Sequence, residues 1–208
     1  DLWMNKGKKL IIFDLDGVLI DSLPNMKIAL KKTASILNVK LNFNHYKKSL
    51  GLPFEEIMKK MGIKNNIKTI KSTYSYYSKK NIKKIRINKK HIKELNYLKR
   101  NYYLSVFTSK DKVRAQVILK RYKLFNFIVT SDDVKNGKPY PEGVFKILKK
   151  NKVTKKNCIY IGDSIYDYLA AKKSGVNYLH ADWGYEKDLK NIPNVKKISS
   201  FLEIPKNF

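Results

Sequence analysis

Short apolar runs alternate with amphipathic stretches along most of this chain. Leu10 to Phe13, Tyr103 to Phe107, Phe127 to Val129 and Cys158 to Ile161 are apolar or nearly so, and a weaker run covers Val176 to Leu179. Runs of that length without polar alternation are expected of strands buried on both faces of a parallel sheet. Helical spacing separates them. Ile92, Leu95 and Leu98 share a face within Asn88 to Arg100, and Val113, Val117 and Ile118 within Asp111 to Tyr122. Val144, Phe145 and Leu148 follow Pro141-Glu142, where an early proline and a first-turn acid mark a helix start. A last helix is expected from about Ser164 to Ser174, ending at Gly175. Strand and helix in alternation argue for an α/β fold, a parallel sheet built of right-handed crossovers.

Between the first strand and Asn88 the pattern is helical throughout. Asp21 or Ser22 can cap a helix whose face carries Met26, Leu30, Thr33, Ala34 and Leu37. Phe54, Ile57, Met58 and Met61 form a second stripe, and Ile63, Ile67, Ile70, Tyr74 and Tyr77 a third. No strand pattern occurs from about Leu23 to Lys84. The reading is an all-helical insertion, residues 21–87, within a sheet domain of residues 1–20 and 88–208. The Met and Tyr stripes are most simply its core.

Composition narrows the class. The 208 residues fit one domain or one with an insertion, and 43% hydrophobic residues suffice for a sizeable core. No apolar run approaches the ~20 residues that span a bilayer. Lys8 and Lys9 lead into too short a run for a signal peptide. Asp1 to Trp3 precede Met4, either as the end of a longer polypeptide or as added residues. The one cysteine, Cys158, excludes an internal disulfide and reads as a buried strand thiol. These features predict a cytoplasmic protein with no membrane partner. The net charge of +28 invites a nucleic-acid reading. The charge is nearly all lysine, scattered over every segment, with arginine only at positions 86, 100, 114 and 121. No basic stripe is interleaved with aromatics, so no specific nucleic acid is expected as a partner.

The candidate chemistry starts where the first strand stops. Asp14-Leu15-Asp16-Gly17 places two carboxylates around one residue, and period-2 alternation points both the same way. Two like charges that close are tolerable if a cation sits between them or one keeps its proton. Both conditions suit phosphoryl chemistry. Taken alone, the run is equally an ordinary turn. Three further pieces join it: Thr108-Ser109 after a strand, Gly137-Lys138-Pro139 before a helix, and Gly162-Asp163-Ser164 with Asp167 one helical turn later. All lie at or beyond the carboxyl ends of proposed strands, where open α/β sheets bind ligands. His45, His91 and His180 have no metal-site spacing, and Trp183 and Tyr185, on a loop past the last clear strand, are open to walling the site but are most simply packing residues.

In this order and spacing the chain resembles the haloacid dehalogenase superfamily, in its phosphoglycolate-phosphatase-like and β-phosphoglucomutase-like branch. Leu50-Gly51-Leu52-Pro53-Phe54 is similar to that branch's cap loop. The resemblance implies a three-layer Rossmann-like core with a small α-helical cap. It implies Asp14 as a nucleophile giving an aspartyl-phosphate, and Asp16 as general acid, then base. It implies Mg²⁺ on Asp14, the Asp16 carbonyl and Asp163, with Asp167 supporting from behind. Thr108, Ser109 through its amide, and Lys138 would hold phosphoryl oxygens. Carbon–halogen hydrolases lack an acid at the Asp16 place, because halide leaves without a proton. The expected substrate is therefore a small phosphorylated metabolite, phosphoglycolate or a sugar phosphate, hydrolysed by a Mg²⁺-dependent phosphatase. A sugar phosphomutase shares every core motif and differs in its phosphoryl acceptor. A polyanion- or RNA-binding protein on an inactive fold is the alternative of another class. Lys47, Lys48 and the Gly51 loop are candidates for specificity; oligomeric state is left open.

Overall fold

The computed structural model describes residues 7–187, 192 and 194–208. Asp1 to Trp3 lie outside the described residues. Among the described residues six strands form one sheet: β1 (Lys9–Phe13), β2 (Tyr102–Phe107), β3 (Phe127–Val129), β4 (Cys158–Gly162), β5 (Asn177–Ala181) and β6 (Lys197–Ile198). Their order is β3-β2-β1-β4-β5-β6 and every pairing is parallel. β1 is central, and Leu10 to Phe13 are wholly buried. Alternate side chains divide between two layers. Ile11 and Phe13 pack with Leu95, Leu98 and Ile118 on one face; Leu10 and Ile12 pack with Val144, Ile147 and Ala170 on the other. Helices α5 (Lys89–Lys99) and α6 (Lys112–Leu119) supply the first layer, α7 (Glu142–Asn151) and α8 (Ile165–Ser174) the second.

Between β1 and α5 lie helices α1 (Leu23–Leu37), α2 (Phe43–Lys47), α3 (Phe54–Lys60) and α4 (Ile67–Asn81). They enclose a third apolar cluster containing Met26, Leu30, Tyr46, Phe54, Met58, Ile70 and Tyr74. The chain enters and leaves this unit side by side, because Ile20 and Ile87 form an antiparallel bridge. Ile82, Ile85 and Ile87 already pack into the sheet's cluster.

Several sequence expectations need correction. Val113 and Val117 are 53% and 36% exposed, and Phe145 is 49% exposed. In α6 apolar residues alternate with Lys112, Arg114 and Gln116 and fall on more than one side, so spacing does not select its inner face. Ala115, Ile118 and Leu119 are buried instead, with Arg114 beside them. On α7 the inner residues are Val144, Ile147 and Leu148. β5 extends past the apolar run that ends at Leu179 and includes His180. The two-residue β6 is too short for any pattern. Ser22 occupies the N-cap position of α1 but makes no capping bond; Asp21 Oδ1 accepts from the Leu23 amide at 3.2 Å.

Helix α7 approaches the sheet closely at Gly143, where an added Cβ would stand 2.3 Å from the Phe107 ring. Gly143→Ala therefore overpacks the layer behind β2 and should cost about 1–3 kcal/mol. Urea unfolding reads this as a lowered midpoint; an unchanged midpoint would contradict the packing.

Candidate active site

Parallel register brings the carboxyl ends of β1, β2 and β4 together. Phe13 sits opposite both Val106 and Ile161, and the Asp14 amide donates to the Ile161 carbonyl at 2.9 Å. β1 ends at Phe13, so Asp14 and Asp16 occupy the turn beyond it. Asp14 is buried, and its Oδ1 accepts from Lys138 Nζ at 2.7 Å. The same ammonium donates to Asp167 Oδ1, also at 2.7 Å. Asp167 is fully committed: Tyr160 adds a bond to Oδ1, while Oδ2 takes the Ser164 hydroxyl, the Ser164 amide and the Asp163 amide. Ser164 and Asp167 form a capping box at the start of α8. That local motif fixes Asp163 at the mouth of β4.

Asp163 is wedged between two glycines. A Cβ on Gly17 or on Gly184 would lie 2.1 Å from its side chain. Gly17 also has φ +88°, which favours glycine. The glycine of the D-x-D-G run thus lets the β1 turn touch the β4 corner. Asp163 Oδ2 accepts from the Tyr185 amide at 2.6 Å.

Three buried carboxylates here face one ammonium. Oxygens of Asp14, Asp163 and Asp167 lie within 4.8 Å of one another. Burial, then the charge of Asp167, pushes Asp14 up to about 7, although Lys138 opposes the rise. Burial and the charge of Asp14 push Asp163 well above the carboxylate range. Burial works against the Lys138 charge, but Asp14 and Asp167 outweigh it and raise its pKa. The cluster is short of positive charge. Asp14 Oδ2 and Asp163 Oδ1 accept no hydrogen bond among the described residues. Two hard oxygens at an electron-rich corner fit a divalent cation that keeps water among its ligands.

Asp16 stands apart from this cluster. Its Oδ1 accepts from the Ser22 hydroxyl in a short bond, and forms an ion pair with Lys110 Nζ at 3.0 Å. Thr108 is buried, and its Oγ1 accepts from the Lys110 amide at 3.1 Å. The Ser109 hydroxyl donates to the Gly51 carbonyl at 2.6 Å, joining the sheet unit to the helical unit.

A cavity of about 470 Å³ lies between the two units. Asp14, Asp16, Thr108, Ser109, Lys110 and Asp163 face it from the sheet side; Lys47, Lys48, Gly51 and Leu52 face it from the helices. Lys138 and Asp167 do not line it and sit behind Asp14. Sequence reasoning missed Lys110, hidden in a chain where about one residue in five is lysine. It also undervalued Tyr185, which lines the cavity and whose hydroxyl accepts from the Ser22 amide at 2.7 Å. Trp183 does pack, against His91 and Phe201. Of the histidines, none joins the acidic cluster among the described residues.

A haloacid dehalogenase-like hydrolase family model matches residues 11–181, a span holding every residue placed above from Asp14 to Asp167. The chain belongs to this family. Among relatives of the hydrolase, a phosphorylated carbohydrates phosphatase from Thermotoga maritima is 27% identical over 179 residues, covering 82% of this chain and 83% of that protein. A phosphoglycolate phosphatase from Aquifex aeolicus is 27% identical over 195 residues, covering 89% and 90%. The solved structure of a haloacid dehalogenase-like family hydrolase from Streptococcus pneumoniae has a TM-score of 0.81 at 26% identity, covering 96% of this chain and 98% of that one.

A divalent cation added to the hydrolase should raise its thermal midpoint. Metal binding needs deprotonated ligands. With Asp14 near 7, the rise should be larger at about pH 8 than at about pH 5.5. Asp163→Asn should abolish most of it. An equal rise in that variant would contradict the cation reading.

Proposed function

We propose that the protein is a Mg²⁺-dependent phosphatase of small phosphorylated metabolites, working through an aspartyl-phosphate on Asp14. One observation carries the reading: two carboxylates in different environments face one cavity. Asp14 is buried beside Lys138, with one oxygen held and one open. Asp16 is held on the other side by Ser22 and Lys110. Such a pair can divide the labour of attack and proton transfer.

The open Asp14 oxygen attacks phosphorus as the bond to the leaving oxygen breaks. Asp16 gives that oxygen its proton. Water then enters from the same side, Asp16 takes its proton, and the Asp14–phosphorus bond breaks to release phosphate. Lys138 keeps Asp14 in place and offsets charge on the attacking side. Thr108, and Ser109 through its amide, flank the phosphoryl position. Asp14, Asp163 and the Asp16 carbonyl would hold Mg²⁺. Bound there, it would neutralise phosphoryl charge and favour the ionised form of Asp14. Asp167 orients Lys138 and the Asp163 backbone.

Residues 21–87 are read as a cap over a core of residues 1–20 and 88–208, with its Lys47, Lys48 and Gly51 lining the leaving-group side. The Ile20–Ile87 bridge supports that boundary. Phosphoglycolate and sugar phosphates are the first candidate substrates, since relatives carry those names. Among the described residues no helix is long and apolar enough to cross a membrane.

A screen of phosphoglycolate, hexose phosphates, nucleotides and pyrophosphate should find Mg²⁺-dependent phosphate release. Asp14→Asn should lower kcat at least about a thousandfold while leaving the unfolding midpoint close to wild type. EDTA should stop turnover, and added Mg²⁺ should restore it. An undiminished rate in EDTA, or in Asp14→Asn, would overturn the proposal.

A further inference from the structure

Lys110 lies outside the four motifs, yet it is buried as most of their residues are. Its side chain is 3% exposed. Removing an ammonium from water is unfavourable unless a partner compensates. Arg114, the other buried cation nearby, is matched by Asp111 at 2.5 Å and bonds Ser78. The single ion pair of Lys110 among the described residues is to Asp16. Its backbone is fixed on both sides: the amide donates to Thr108 Oγ1, and the carbonyl accepts from the Ser131 amide at 3.2 Å. The ammonium is therefore a rigid fixture rather than a mobile surface charge.

Lys110 and Ser22 both engage Oδ1 of Asp16. Oδ2 accepts no hydrogen bond among the described residues, and Asp16 lines the cavity. We propose that Lys110 is a positioning residue for the proton-transfer carboxyl: it locks one oxygen of Asp16, presents the other to the leaving oxygen, and stabilises the carboxylate that forms there. The inference rests on the phosphatase reading. In the transfer step the Asp14–phosphorus bond forms and the phosphorus–leaving-oxygen bond breaks. The proton on Asp16 Oδ2 moves to the departing oxygen, leaving a carboxylate 3.0 Å from the ammonium.

Leaving-group chemistry separates this role from a merely structural one. An alkoxide needs the proton; 4-nitrophenolate departs as a stable anion. The value kcat/KM reports the first transfer, where the two esters differ. Lys110→Met should lower kcat/KM about tenfold to a hundredfold for the best alkyl ester, with the loss mainly in kcat, and no more than about threefold for 4-nitrophenyl phosphate. Lys110→Arg, which keeps a cation, should recover part of the alkyl-ester rate. Ser22→Ala frees the same oxygen with the cation in place and should show the same asymmetry, so an unfolded Lys110→Met does not end the test. Equal losses on both esters in the folded variants would overturn this role alone. A wild type inactive on both esters would overturn the phosphatase reading, and this inference with it.

Discussion

The molecule is organised around a shortage of positive charge at the mouths of β1 and β4. Asp14 meets Asp163 and Asp167 there from far earlier in the sequence, and among the described residues Lys138 is the one ammonium paired with them. Burial disfavours their charged forms and the neighbouring carboxylates repel them, so Asp14 and Asp163 are both pushed upward. Such a cluster persists because the rest of the fold fixes its members. The sheet register, the capping box on α8 and the close approach of Gly17 to Asp163 do that work. An anionic ligand alone would worsen the repulsion. A divalent cation arriving with it would turn the same shortage into affinity.

The second carboxylate of the leading run is treated differently. Asp16 is removed from the acidic cluster and given its own cation, Lys110, and its own hydroxyl, Ser22. Two acids separated by one residue thereby acquire separate environments, the physical condition for separate roles. Tyr185 ties the two halves together. Its amide holds Asp163, while its hydroxyl accepts from Ser22, the residue that holds Asp16.

Much of this was legible in the sequence, for identifiable reasons. β1 and β4 are buried on both faces, so their apolar runs are unmistakable, and the residues just past them are the ones that meet at the site. Lys138 stood out despite abundant lysine because glycine and proline flank it. Lys110 has no such frame; its burial depends on α6 and on Asp16, which no local pattern records. Val117 was expected on the inner face and is exposed, while Arg114 is buried there with Asp111 as its ion-pair partner. Ser22 reads locally as a helix cap and is instead committed across the turn to Asp16. Misreadings of this kind arise where a tertiary partner competes with a local preference.

The proposed chemistry requires phosphorus to become bonded to Asp14 during turnover. The most direct measurement is acid quenching of the working enzyme with its best substrate and Mg²⁺, followed by peptide mapping of the phosphoryl group. The expected product is an acyl-phosphate on the peptide containing Asp14, labile to hydroxylamine. A phosphoryl group on any other residue would contradict it. So would phosphate release at full rate, under conditions where the second step is limiting, with no phosphoprotein formed.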